Sequence, residues 1–142
     1  MHYSRQRACI LEAVQHSGDH PTAEEVYRLV KPVLPAIGLA TVYRNLRTLA
    51  EAGQIRRVTA PDGVDRFDGR LQAHDHLICE TCGRVVDVDL DFSPDLLRQV
   101  RAQTPLTVTG CRLELRGLCP GCAGKPPEIE TGDCRTLKSR QK

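Results

Sequence analysis

The stretch GLATVYRNLRTLAEAG, residues 38–53, is where the reading of the fold begins. Gly38 is an acceptable N-cap and Gly53 a C′ stop, so a helix is predicted between them. At about 100° per residue, Leu39, Val42, Leu46, Leu49 and Ala50 fall on one stripe. Thr41, Arg44, Arg47 and Thr48 fall on the other side, so a helix that buries its apolar stripe turns a basic face outward. Downstream, QIRRVTA and VDRFD flank a Pro-Asp-Gly turn and predict two short strands. Upstream, Ile10, Leu11 and Val14 recur at helical spacing. PTAEEVYRLV then opens with a capping box, Thr22 as N-cap and Glu25 three residues on. Val26, Leu29 and Val30 give that helix its apolar face, and KPVLPAIG ends it. Three helices followed by a hairpin is the order of a winged helix-turn-helix, here expected over residues 1–68.

Past GRLQA, residues 69–73, which reads as a hinge, the pattern changes to period two. HDHLIC, RVVDVDL and LTVTGCRLELRGLC predict three strands. Between the second and third, Ser93 as N-cap and Pro94 at the first helical position open a helix with Leu96, Leu97 and Val100 as its apolar residues. The fold class expected is α+β: a winged helix-turn-helix followed by a small α/β dimerisation domain at 74–124. The tail 125–142, rich in Pro, Lys and polar residues, is expected to be disordered.

Composition narrows the function. Of 142 residues 40% are hydrophobic but only 4% aromatic, with no Trp, so the cores are aliphatic and thin. Small units of this kind recruit metals or oligomerisation. A net charge of +2 means that any nucleic-acid affinity must come from clustered Arg rather than bulk charge. No apolar run is long enough for a membrane span, and MHYSRQRACILEAV lacks the apolar core of an export signal. Seven cysteines in such a chain imply a cytoplasmic, reducing setting and thiolate ligands rather than disulfides.

Four of those cysteines form two C-x-x-C pairs, Cys79/Cys82 in CETCG and Cys119/Cys122 in CPGC. Glycine-bearing knuckles aim both sulfurs of a pair at one point, and two pairs make a closed tetrahedral Zn²⁺ site. The rival reading is a redox dithiol. Such a zinc is worth about 10–16 kcal/mol in peptide sites, more than so small a core supplies.

Alternation along HDHLIC puts His74 and His76 on one strand face, with Asp75 and Leu77 on the other. Asp87 alternates against Val86 and Val88 and can reach the same side from the next strand. Asp68 ends the wing, and His20 lies in the GDHPT loop. Three nitrogen and two oxygen ligands suit Fe²⁺ or Mn²⁺ better than a thiolate-seeking metal. The rival reading is a pair of surface histidines with solvated acids. A metalloenzyme built on His74, His76 and an acid would need a nucleophile or general base, and none accompanies them. A zinc-ribbon scaffold that only binds protein leaves the Arg-bearing helix unexplained. On that helix Thr41, Tyr43, Arg44 and Arg47 are expected at the major groove, Arg44 reading a guanine edge, with Arg56 and Arg57 of the wing on phosphates.

HPTAEEVY, ATVYRNLRTLAEAG, DRFD, HDHLICETCG and GLCPGC occur in an order that resembles the ferric uptake regulator (Fur) superfamily, over residues 5–122. The resemblance implies a homodimeric winged-helix repressor of double-stranded, pseudo-palindromic operator DNA, not an enzyme. It implies structural zinc on Cys79, Cys82, Cys119 and Cys122, and regulatory Fe²⁺ or Mn²⁺ on His20, Asp68, His74, His76 and Asp87. Asp at both 68 and 87 is similar to the peroxide-sensing (PerR) branch, in which bound Fe²⁺ and H₂O₂ oxidise a histidine ligand, here matched by His20 and His74. The alternative is an iron- or manganese-responsive repressor without peroxide sensing. Two departures stand out. Ala73 and Cys111 occupy places where many iron-sensing relatives have His, so their additional metal site is expected to be missing or altered. Cys111, in register with Leu113 and Leu115, is expected to be a buried free thiol. No cysteine falls in the regulatory set, which counts against the zinc-sensing branch, and Cys134 is assigned no role.

Overall fold

The computed structural model describes residues 4–91 and 93–124; the expected disordered tail, with Cys134, lies outside them. Helix α1 (Arg5–His16) starts at Ser4, whose hydroxyl accepts from the Arg7 N–H at 3.2 Å. Helix α2 (Ala23–Val30) starts at the expected capping box, closed in both directions. The Thr22 hydroxyl accepts from the Glu25 N–H at 3.2 Å, and the Glu25 carboxylate accepts from the Thr22 N–H at 2.8 Å. Helix α3 (Leu39–Glu51) stops just before Gly53, whose φ of +71° favours a residue without Cβ.

These helices close on Ile10, Val14, Val26, Val30, Ile37, Val42, Leu46, Leu49, Ile55 and Phe67. The α3 stripe departs from expectation at Leu39, which sits in the first turn and stays 36% exposed. Asn45 is buried instead. Its side chain accepts from Arg7 Nε at 3.1 Å and donates to the Thr41 carbonyl at 2.9 Å, so the inward polar group is satisfied.

Strands β1 (Arg56–Thr59) and β2 (Asp65–Asp68) form the antiparallel wing, with Arg56 opposite Asp68. The Phe67 N–H donates to the Pro21 carbonyl at 2.9 Å, and Thr22 bridges Arg66. These bonds hold the loop before α2 against β2, which carries His20 to Asp68.

The second sheet has strand order β4-β3-β5, formed by β3 (Asp75–Cys79), β4 (Val85–Val88) and β5 (Glu114–Gly117). β3 runs antiparallel to β4 and parallel to β5. Helix α4 (Pro94–Gln103) opens at Ser93 and Pro94 as expected, and a one-turn helix α5 (Pro120–Ala123) follows β5. One face of the sheet meets the wing, where Ile78 and Val85 pack with Ala60 and Val58. On the other face Leu77, Val86 and Leu115 lie opposite one another across the three strands, all partly exposed, and α4 buries none of its residues.

Three local expectations are corrected. His74 precedes β3 rather than lying in it. The last strand spans 114–117 only, not the run from Leu106. Cys111 is exposed, because it lies in the irregular segment before β5 where no ladder fixes which way a side chain faces.

Candidate metal centres and nucleic-acid interface

Five side chains converge where the wing, the loop before α2 and the second sheet meet. His20 comes from the loop, Asp68 from the end of β2, His74 from the residue before β3, His76 from β3 and Asp87 from β4. His76 and Asp87 are cross-strand partners, which puts them side by side on the face turned to the wing. His74 Nε2 lies 2.8 Å from Asp68 Oδ2 and 3.0 Å from Asp87 Oδ1. His20 Nε2 lies 2.9 Å from Asp87 Oδ1 and 3.6 Å from Asp68 Oδ2, and His76 Nε2 lies 3.2 and 3.3 Å from the two acids. One donor atom from each of the five lies within 4.8 Å of every other.

Burial makes this convergence informative. His20, Asp68, His74 and His76 are each less than a tenth exposed. Yet His20 Nε2, His74 Nε2 and Asp87 Oδ1 are buried without a hydrogen-bond partner. Buried polar atoms are ordinarily paired; three lone pairs and two carboxylate oxygens pointed at one spot are what a divalent cation would satisfy. The donor set, imidazole with carboxylate and no thiolate, fits Fe²⁺ or Mn²⁺. The His74 ring is preset for this role. Its Nδ1 donates to the Gln72 carbonyl at 2.6 Å, which leaves the Nε2 lone pair facing the other ligands.

The electrostatics agree. Burial alone would raise the Asp68 carboxyl, but the adjoining His20 imidazole, the hydrogen bond from the Arg70 N–H and the charge of His74 hold it well below the usual range. Burial pulls His20 down, yet Asp68 and Asp87 outweigh it and the net shift is upward. His76 is pushed down by burial and by the other two histidines, which favours its neutral, ligating form.

The four cysteines form a second, separate cluster. Cys79 ends β3, Cys82 lies in the following turn, Cys119 caps α5 and Cys122 lies within it. The Cys82 and Cys119 sulfurs are 3.7 Å apart. Four sulfurs about 2.3 Å from one zinc at tetrahedral angles would be separated by about 3.8 Å, so the cluster fits the ion. The Cys79 thiol is lowered to about 6, first by the N–H groups of Cys82 and Cys119, while Cys122, hydrogen-bonded to Cys119 and Cys82, is raised to about 12. Cys79 is thus pushed toward the thiolate and Cys122 away from it by the same cysteine neighbours, a division of charge that a cation would remove. Gly83 shapes the knuckle: its φ is +74°, and a Cβ there would lie 2.6 Å from Asp62 of the wing turn. Arg66 of β2 donates to the Cys82 carbonyl at 3.0 Å, so the knuckle rests on the wing.

The basic face of α3 borders a groove of about 1130 Å³ whose lining includes Tyr43, Arg44, Arg47, Arg56, Arg57 and Arg112. Arg47 pairs with Glu51 at 2.9 Å and Arg57 with Asp65 at 3.6 Å, whereas Arg44 is exposed with no ion pair among the described residues. Thr41 is half-buried. The Arg56 guanidinium donates to the Leu71 carbonyl at 2.6 Å and so ties the wing to segment 69–73. Arg112, from the segment before β5, was not foreseen, because no periodicity marks a lone Arg in irregular chain.

The model of the ferric uptake regulator family matches residues 1–116. The chain is 38% identical over 120 residues to the peroxide-responsive repressor PerR of Staphylococcus aureus, covering 84% of this chain and 81% of that one. Among solved structures it is similar to the Vibrio cholerae ferric uptake regulator, with 34% identity, a TM-score of 0.65 and coverage of 84% and 92% of the two chains. It is similar also to a zinc-bound manganese uptake regulator, with 32% identity, a TM-score of 0.65 and coverage of 84% and 91%. The Campylobacter jejuni peroxide stress regulator gives 27% identity, a TM-score of 0.65 and coverage of 82% and 88%. With the winged helix, the cysteine cluster and the histidine-carboxylate cluster in place, these likenesses have one conclusion: the chain belongs to the ferric uptake regulator family.

Proposed function

We propose that this repressor is a homodimer that senses peroxide through Fe²⁺ held by His20, Asp68, His74, His76 and Asp87, and that Cys79, Cys82, Cys119 and Cys122 hold a permanent zinc. The observation that carries the reading is the convergence of three Nε2 atoms and two carboxylate oxygens from both halves of the chain. His20 and Asp68 belong to the part proposed to bind DNA, residues 1–68. His74, His76 and Asp87 belong to the part proposed to dimerise, residues 74–124, beyond a hinge at 69–73. An ion shared by the two sets fixes one half against the other, and losing a ligand from either set frees them.

Iron, when bound, supplies the chemistry that activates peroxide. The chain's own residues supply its address: His74 is held by the Gln72 carbonyl with Nε2 inward, and His20 is held by the loop that Phe67 pins. Oxidation of either ring removes a donor and releases the DNA-binding half. The cluster acts here as a sensor rather than a catalytic centre. Thr41, Tyr43, Arg44 and Arg47 are the proposed major-groove contacts, and Arg57 a phosphate contact. Two copies related by a two-fold axis would need a pseudo-palindromic operator.

A second reading, an iron- or manganese-responsive repressor blind to peroxide, rests on the same five donors and on the likeness to the V. cholerae and manganese uptake regulators. Operator binding by the Fe²⁺ and Mn²⁺ forms, each with and without H₂O₂, separates the two. Peroxide sensing predicts that only the Fe²⁺ form lets go of DNA. Retention by both forms selects the second reading.

A further inference from the structure

Arg70 is a residue that neither the sequence pattern nor the ligand set singles out, yet it touches both acids of the regulatory site. Its backbone N–H donates to Asp68 Oδ1 at 2.8 Å, leaving Oδ2 as the oxygen nearest His74 and His76. Its guanidinium approaches Asp87 Oδ2, with Nη1 at 3.7 Å, leaving Oδ1 as the oxygen nearest His20 and His74. The two acids come from different sheets, Asp68 from the wing and Asp87 from β4. Arg70 is therefore the point at which both outer oxygens are occupied from one place in the chain.

A guanidinium beside a cation site would by itself repel the ion. Asp89 offsets it: Nη2 lies 2.7 Å from Asp89 Oδ1 and Nη1 3.4 Å from Asp89 Oδ2, a forked pairing that both neutralises the charge and fixes the plane of the guanidinium. Left uncapped, a carboxylate can turn and offer both oxygens to a divalent ion. With the outer oxygens engaged, the site presents five single-atom donors rather than a variable number.

We propose that Arg70 is a positioning residue for the regulatory metal, braced by Asp89, which holds Asp68 and Asp87 each to one inward oxygen. This rests on the reading of the five-residue cluster as the metal site. Groups that orient metal ligands from behind are worth about 10–100-fold in affinity.

The test uses the full zinc-loaded chain with Mn²⁺ as probe, following affinity by competition titration and ligand geometry by electron paramagnetic resonance. The double variant Arg70→Gln/Asp89→Asn leaves net charge unchanged and removes the side-chain hold on Asp87, while the Arg70 backbone N–H stays on Asp68. It is expected to weaken Mn²⁺ binding at least about ten-fold and to change the Mn²⁺ spectrum. Arg70→Lys in the otherwise native chain, which keeps a cation able to reach Asp87, should recover part of both. Wild-type affinity and spectrum in the double variant would overturn the role of the Arg70 side chain. His74→Ala separates that failure from a larger one. If it loses Mn²⁺ while the double variant does not, only the brace is wrong; if it too binds Mn²⁺ normally, the cluster itself is not the site.

Discussion

The two ligand clusters lie at opposite ends of the same strand and differ in one decisive respect. All four sulfurs come from the second sheet and its flanking turns, so an ion among them joins parts of a unit that must fold together. The histidine and carboxylate donors come from both sheets and from the loop before α2, so an ion among them joins separate elements across the contact between the wing and the second sheet. The first arrangement suits permanence. The second suits a signal, because the free energy of binding goes into the relative placement of the halves rather than into the existence of either.

The sharpest way to break this comparison is at the zinc. Cys79→Ser or Cys122→Ser should unfold the second half, since metal binding worth about 10–16 kcal/mol exceeds the stability of most whole domains. Circular dichroism and zinc content check it, and a folded, zinc-free variant would contradict the structural role. Next in size is His74→Ala. It should keep its zinc and its fold but lose at least about ten-fold in regulatory metal affinity, and with it metal-dependent operator binding. Metal analysis and gel shift report both, and if zinc and regulatory metal were lost together, the two sites would not be separable.

The smaller effects concern the groove beside α3, the proposed DNA contact. Arg44→Ala should cost about 1–3 kcal/mol of discrimination between operator and scrambled DNA. Were both sequences weakened equally, α3 would not be the reader. Arg56→Gln should change least, and it divides two roles. If Arg56 latches the wing to Leu71, the metal-dependent gain in binding falls while the salt dependence stays. If it contacts phosphate, the slope of log affinity against log salt drops by about one.

Much of this architecture is legible from local pattern. The capping box at Thr22 and Glu25, the stop at Gly53, the start of α4 at Ser93 and the C-x-x-C knuckles are set by residues within one turn of each other. Period-two reading also placed His76 and Asp87 on one face correctly, because a paired ladder enforces alternation. The same rule failed at Cys111, where there is no ladder, and at His74, which lies outside β3 and is oriented by the Gln72 carbonyl instead. His20 carried no signal of its own beyond the family resemblance. It reaches the site because Phe67 bonds the Pro21 carbonyl, a contact across 46 residues of chain that no local period encodes. Arg70 escaped for the same reason, since a charged residue in a short irregular segment reads as solvated until its partners are seen.

The central claim is that His20 or His74 reads peroxide for this repressor. Peptide mass mapping of the Fe²⁺ protein, at the moment H₂O₂ releases it from operator DNA, tests this directly. One added oxygen atom on His20 or His74, in proportion to the DNA released and absent from the Mn²⁺ protein, is the predicted result. Release with both histidines unmodified and oxygen instead on the exposed Cys111 thiol would contradict it.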